Sequence, residues 1–211
     1  MRFNLLIILS LLLYGCSNNV RKEVQQRKYQ VGIQPIGKVA SEQIELIQNA
    51  LKKEYGFETT VLPVMDPPKR AFINVKSARY RADTLIRILR DQRPDSVGII
   101  FGLTAKDISI TKYATDGEIK KPEYKYKDFG IFGLGFKPGT SSVVSVYRLG
   151  KGKTLRSRLK KIALHEIGHN LGLKHCPDKS CLMTDAVESI RTVDAAKETL
   201  CEKCKAQIQK K

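Results

Sequence analysis

The chain has only three histidines, and all of them fall within His165-Glu166-Ile167-Gly168-His169-Asn170-Leu171-Gly172-Leu173-Lys174-His175. Residues four apart share one face of a helix, so His165 and His169 can hold one metal ion between them. Glu166 lies beside them, placed to take a proton from metal-bound water. Gly172 has no side chain to clash in the left-handed conformation that ends a helix. The chain can then turn back and deliver His175 as a third nitrogen. Three neutral imidazoles leave the fourth position of a tetrahedral zinc open for water, which marks a catalytic site rather than a closed structural one. A bare H-E-x-x-H is common on ordinary helices, but Gly172 and His175 at fixed offsets make chance a poor explanation. The bland rival is a degenerate site that binds zinc without catalysis; against it, Glu166 is intact.

Four of the five cysteines lie close behind. Cys176 follows His175 directly, Cys181 comes after four residues, Met183 stands two further on, and seventeen residues lead to Cys201-Glu202-Lys203-Cys204. Two close pairs of thiolates suit a closed tetrahedral zinc with a structural purpose. Two disulfides or a redox C-x-x-C compete with that reading, although no thioredoxin-like βαβ pattern surrounds Cys201 and Cys204. On physical grounds Met183 is equally at home as core packing.

From His165 to Cys204 the sequence resembles the archaemetzincins, whose signature H-E-x-x-H-x-x-G-x-x-H-C-x4-C-x-M-x17-C-x-x-C it matches without insertion. The resemblance covers about a fifth of the chain and is highly specific. It implies a zinc peptidase with the catalytic zinc on His165, His169 and His175, Glu166 as general base, and a second zinc on Cys176, Cys181, Cys201 and Cys204. It also implies that Met183 is the methionine of a tight Met-turn beneath the metal. The cofactor expectation is therefore two Zn²⁺ per chain.

The elements that must position these residues follow from pattern. Gln30 to Ile36 reads as a strand. Ser41 can cap a helix whose apolar residues Ile44, Ile47, Ala50 and Leu51 recur at helical spacing, with Gly56 ending it. Thr59 to Val64 is strand-like, and Asp66-Pro67-Pro68 turns the chain. A second helix runs from about Arg79 to Asp91, and Val97 to Leu103 is an apolar run suited to a buried strand. A long loop follows to about Lys127, then strands at Phe129 to Phe136 and Val143 to Tyr147, then the metal helix from Thr154 to Leu171. The fold class expected is α+β and zincin-like: a twisted mixed sheet with helices, the active-site helix, and a small C-terminal subdomain stapled by zinc. The parts expected are residues 29–172 as the N-terminal subdomain and 173–211 as the C-terminal one. Within Phe129-Gly130-Ile131-Phe132-Gly133-Leu134-Gly135-Phe136, the residues Ile131, Phe132, Gly133 and Leu134 are candidates for an edge that holds extended substrate by backbone hydrogen bonds. The alternative is a buried strand whose glycines admit another backbone.

The N-terminus adds something the resemblance does not supply. Arg2 precedes an apolar run from Leu5 to Leu13, too short for the roughly twenty residues a membrane span needs. It ends in Leu13-Tyr14-Gly15-Cys16, like a bacterial lipoprotein signal, with lipidation expected at Cys16; a plain signal peptide is the rival. Residues 1–15 are then a leader and 16–28 a polar tether. The expected location is a bacterial membrane, with the domain exported and lipid-anchored. Lysine and arginine total 38 against 21 acidic residues, a formal +17, which favours anionic partners. The basic and aromatic stretch Lys120 to Lys127 reads as a solvated loop, so no nucleic acid is expected. The functional expectation is a monomeric peptidase acting on peptide or protein. A non-catalytic zinc-binding interaction protein and an amide hydrolase acting on cell-wall peptides remain alternatives.

Overall fold

The computed structural model describes residues 30–185 and 189–209; the expected leader, the tether and Cys16 lie outside the described residues. Among the described residues no helix is long and apolar enough to cross a membrane. A five-stranded mixed sheet forms the frame, in the order β2-β1-β5-β9-β8. Its strands are Gln30–Ile36 (β1), Glu58–Val61 (β2), Ile99–Thr104 (β5), Gly133–Gly135 (β8) and Ser141–Ser145 (β9). β1, β2, β5 and β9 run parallel, and only β8 is antiparallel, at one edge. A second sheet, β3-β4-β6-β7, is built from Phe72–Asn74 (β3), Ala78–Arg81 (β4), Ile108–Ile110 (β6) and Phe129–Ile131 (β7).

Both faces of the large sheet are covered, which is why β5 reads as an unbroken apolar run: all six of its residues are buried. Phe101 and Leu103 point to one side, into a core with Ile47 and Leu51 of helix Ser41–Tyr55 (α1) and Leu159, Ala163 and Ile167 of helix Gly152–Asn170 (α4). Ile100 points to the other side, with Val143, against Leu85, Ile86 and Leu89 of helix Ala82–Asp91 (α2). Between them Gly102 is required by space: a Cβ there would stand 2.7 Å from Leu89 Cδ1. Beyond a short helix, Glu123–Tyr126 (α3), and α4, the chain ends in Ile190–Ala195 (α5) and Glu202–Gln209 (α6). Leu173, Leu182, Met183, Val193 and Leu200 of this last part join the α1–α4 core, so the cysteines are not its only hold on the rest.

Several boundaries differ from the sequence expectation. The cap of α1 falls at Ala40, and Ser41 sits inside the first turn without a capping bond. Arg79 lies in β4 rather than in a helix, because its guanidinium is drawn to Asp107 (2.8 Å) and Asp128 (3.1 Å), both buried. The supposed long loop before Lys127 holds β6 and α3. The stretch Phe129 to Phe136 is two strands, not one: β7 pairs with β6, and β8 pairs with β9. Phe132 is the joint between them, and its carbonyl accepts from the Ser145 amide (2.9 Å).

Candidate active site and cysteine cluster

Helix α4 carries His165, Glu166 and His169 on the stretch that abuts β8. It ends at Asn170, and Gly172 takes a positive φ of 88°, as the turn requires. The Gly172 amide donates to His169 O (2.8 Å) and the Leu173 amide to Gly168 O (2.9 Å). That reversal brings His175 back, with its Nε2 3.2 Å from His169 Nε2. The three histidines offer nitrogens within 4.8 Å of one another. Zinc–nitrogen bonds of ~2.0–2.1 Å in a tetrahedron place ligands about 3.3 Å apart, so the triad fits that ion.

The backbone decides which nitrogen each ring presents. His165 Nδ1 lies 2.9 Å from Leu182 O and His169 Nδ1 2.8 Å from Leu173 O. A carbonyl only accepts, so each Nδ1 carries the proton and each Nε2 keeps its lone pair. Asp185 Oδ2 stands 3.5 Å from His175 Nδ1, a carboxylate facing the corresponding nitrogen of the third ring. Burial, helped by neighbouring His169, lowers the His165 pKa to about 4; burial also lowers His169. Both rings are therefore neutral and ready as ligands at ordinary pH. Glu166 is 7% exposed, and burial pushes its pKa up to about 8. A dication alongside would favour its ionised form again.

β8 explains the glycine spacing. A Cβ at Gly133 would stand 2.8 Å from both Cγ and Oε1 of Glu166, and one at Gly135 would stand 2.9 Å from Glu166 O. The strand is thus both an edge and a place where another backbone approaches closely. Ile131, Phe132, Gly133 and Leu134 line one cleft of about 370 Å³ with the three histidines and Glu166. Ile131 belongs to β7 and the small sheet, whereas Gly133 and Leu134 belong to β8.

Met183 is fully buried, and its Sδ would stand 2.5 Å from a Cβ built at Gly168. The glycine inside the H-E-x-x-H segment is thereby explained: the methionine lies directly against the metal helix. Tyr55 supports the same place from α1, donating from its hydroxyl to Leu164 O (2.8 Å).

The four late cysteines are all free thiols. Cys176 Sγ lies 3.7 Å from Cys201 Sγ, and Cys181 Sγ lies 3.8 Å from Cys204 Sγ. Thiolates ~2.3 Å from a tetrahedral zinc stand about 3.8 Å apart, whereas a disulfide needs ~2.05 Å. The donor set and spacing fit zinc. The amides of Met183 and Cys201 point at Cys181 Sγ (3.5 and 3.3 Å). A hydrogen bond from the Cys204 amide draws the Cys201 thiol down to about 7, while burial raises Cys181 and Cys204.

Sequence reasoning did not single out Asp185, Gly168, Tyr55 or the cleft-lining lysines Lys137 and Lys161. Gly168 alone had a local signal, a glycine in mid-helix where alanine is the better helix former.

Fold and site together make the molecule a zinc metallopeptidase of metzincin type. Peptidase family M54 matches residues 40–210, and the chain belongs to that family. The archaemetzincin of Archaeoglobus fulgidus is 32% identical over 179 residues, covering 84% of this chain and 97% of the relative. That of Haloarcula marismortui is 28% identical over 189 residues, covering 84% and 98%. Among solved structures, A. fulgidus archaemetzincin complexed with malonate is similar with a TM-score of 0.65 at 30% identity, covering 84% of this chain and 99% of that one. The Methanopyrus kandleri archaemetzincin gives 0.68 at 25%, covering 87% and 95%.

The contact between Met183 and Gly168 yields a test. Gly168→Ala should help the helix by propensity yet force Met183 away, and with it the Leu182 carbonyl that orients His165. Zinc affinity, measured by chelator competition, should fall about tenfold or more. Unchanged affinity would show that the close contact does not govern the metal site.

Proposed function

We propose that this peptidase hydrolyses peptide bonds with Glu166 as general base, and that extended substrate lies along β8. The observation that carries the reading is the packing of the Glu166 carboxylate against Gly133 of an edge strand, one residue from His165 in sequence. Bound zinc would supply Lewis acidity, lowering the pKa of its water towards ~7 and polarising the scissile carbonyl. His165, His169 and His175 would hold the ion, with Leu182 O and Leu173 O setting the tautomers of the first two. Glu166 accepts the proton at a carboxylate oxygen and returns it to the leaving amine. The backbone from Ile131 to Leu134 offers pairing groups to a substrate strand, and Gly133 leaves room for Glu166 to reach past it.

Glu166→Gln keeps the shape and removes the base. It should retain zinc while turnover of a mixed peptide library falls by about a hundredfold or more. Activity equal to wild type would sink the base assignment. A wild type that retains zinc yet cuts nothing would favour the interaction-protein reading.

The four thiolates are proposed to hold a second, structural zinc. The 3.7 and 3.8 Å sulfur spacings support this. Metal analysis of non-reduced protein should give about two zinc ions per chain, with four thiols released on chelation and denaturation. One zinc and no free thiols would mean that disulfides replaced the second site.

The leader reading, carried by Leu13-Tyr14-Gly15-Cys16, makes the protein an exported lipoprotein anchored through Cys16; separately, it is proposed to act as a monomer. Cys16→Ser should abolish fatty-acid labelling and leave an unprocessed precursor. Wild type without a lipid label would end the anchor proposal.

A further inference from the structure

One buried cation at the cleft has no part in the chemistry above. Lys161 lies one helical turn before His165 on α4, so the two share a face. It lines the same cleft, beside Ile162, Leu182, Val193 and Ala196, and is only 9% exposed. Its Nζ donates to the carbonyls of Val193 (3.0 Å) and Asp194 (2.9 Å). Those are dipoles, not counter-charges.

The carboxylates nearby are engaged elsewhere. Asp194 pairs with Arg158 at 2.6 Å, and Glu198 pairs with Lys160 at 2.5 Å. Among the described residues no carboxylate lies within 4.0 Å of Lys161 Nζ, although Arg79, Arg148 and Arg158 each have one. An ammonium has three donors, and the two carbonyls use two of them. Asp194 and Glu198 act on Lys161 only from beyond ion-pair distance; a buried charge without a direct ion pair is costly, and an arriving anion relieves that cost. At the wall of a substrate cleft, the group that arrives is on the substrate. Lys137, which lines the same cleft, biases it towards anions as well.

We propose that Lys161 is a specificity-determining residue that receives a substrate carboxylate in the recess next to His165. Ile162, Leu182, Val193 and Ala196 offer apolar walls for methylenes, so an acidic side chain of glutamate length suits the recess. A free C-terminal carboxylate close behind the scissile bond presents the same chemistry. The inference rests on the peptidase reading of this cleft, and it adds the chemical class of substrate.

The test uses the zinc-loaded protein and matched peptides with Glu or Gln following the scissile bond, each made with a free or an amidated C-terminus. In the amidated series kcat/KM should favour Glu by about tenfold or more. Preference only for free C-termini, whichever residue follows the bond, assigns the carboxylate to the chain end. No advantage for Glu and none for a free terminus overturns the proposal.

A second arm needs no turnover. Two hydroxamate inhibitors that differ only in a Glu-like or Gln-like side chain are titrated calorimetrically. The acid should bind about tenfold more tightly to wild type, and Lys161→Met should erase that difference while zinc content stays the same. Lys161→Arg should keep it. Should Lys161→Met fail to fold, the wild-type ratios decide alone. Discrimination between inhibitors without cleavage of any peptide would sustain the subsite and sink the peptidase reading. Cleavage without discrimination would do the reverse.

Discussion

The active site depends on one close approach, the sulfur of Met183 against the backbone of Gly168. Everything that orients the metal ligands passes through that contact or beside it. The turn that carries Met183 also presents Leu182 O to His165. The Cys176 amide, directly after His175, donates to Met183 O (2.8 Å). Cys181 accepts from the Met183 amide. The histidine site and the cysteine site thus share one short piece of chain, residues 175–183, which supplies His175 to one and Cys176 and Cys181 to the other. The staple proposed at the sulfur end would fix the carbonyl that selects the His165 tautomer. Coupling of this sort lets a small C-terminal part hold ligand geometry to within a few tenths of an ångström, which a catalytic metal requires.

The large sheet contributes a second constraint from the other side. Its antiparallel edge strand packs against the metal helix and, in the proposed function, also meets the substrate. Side chains at 133 and 135 would collide with Glu166, so the strand gives them up. The loss of packing there is balanced deeper in the sheet, where β5 is buried along its whole length. The same proximity desolvates Glu166, which raises its pKa, while a cation alongside would favour the ionised form again.

How far the sequence could be read follows from the range of the interactions. The histidine triad was legible because its geometry is local: one helical turn, then one glycine turn. The cysteines were legible as two close pairs, although only their sulfur spacings speak for metal over disulfide. Strand β5 was legible because burial on both faces leaves a continuous apolar run. The split at Phe132 was not legible, because alternation along a strand carries no record of which sheet its partner belongs to. Nor was β4, where Arg79 is held by Asp107 and Asp128, residues remote in the chain. Asp185 and Lys161 escaped for the same reason: each has its meaning only through a partner or a cleft that tertiary structure assembles.

The excess of positive charge looks diffuse along the chain, and the structure divides it into kinds. Arg158 and Lys160 clamp the segment that follows Met183 onto α4, through Asp194 and Glu198, and Ser157 adds a hydrogen bond to Glu198. These pairs are partly exposed, and each one alone contributes little. Together with the bonds from Lys161 to Val193 O and Asp194 O, they make α5 ride on the N-terminal half of the metal helix. The wall of the cleft formed by Val193 and Ala196 therefore keeps station with His165 rather than drifting as a separate loop. Lys161, on that helix and bonded to the wall, is thereby kept at a fixed distance from His165, and the proposed selection by charge would need just such a distance.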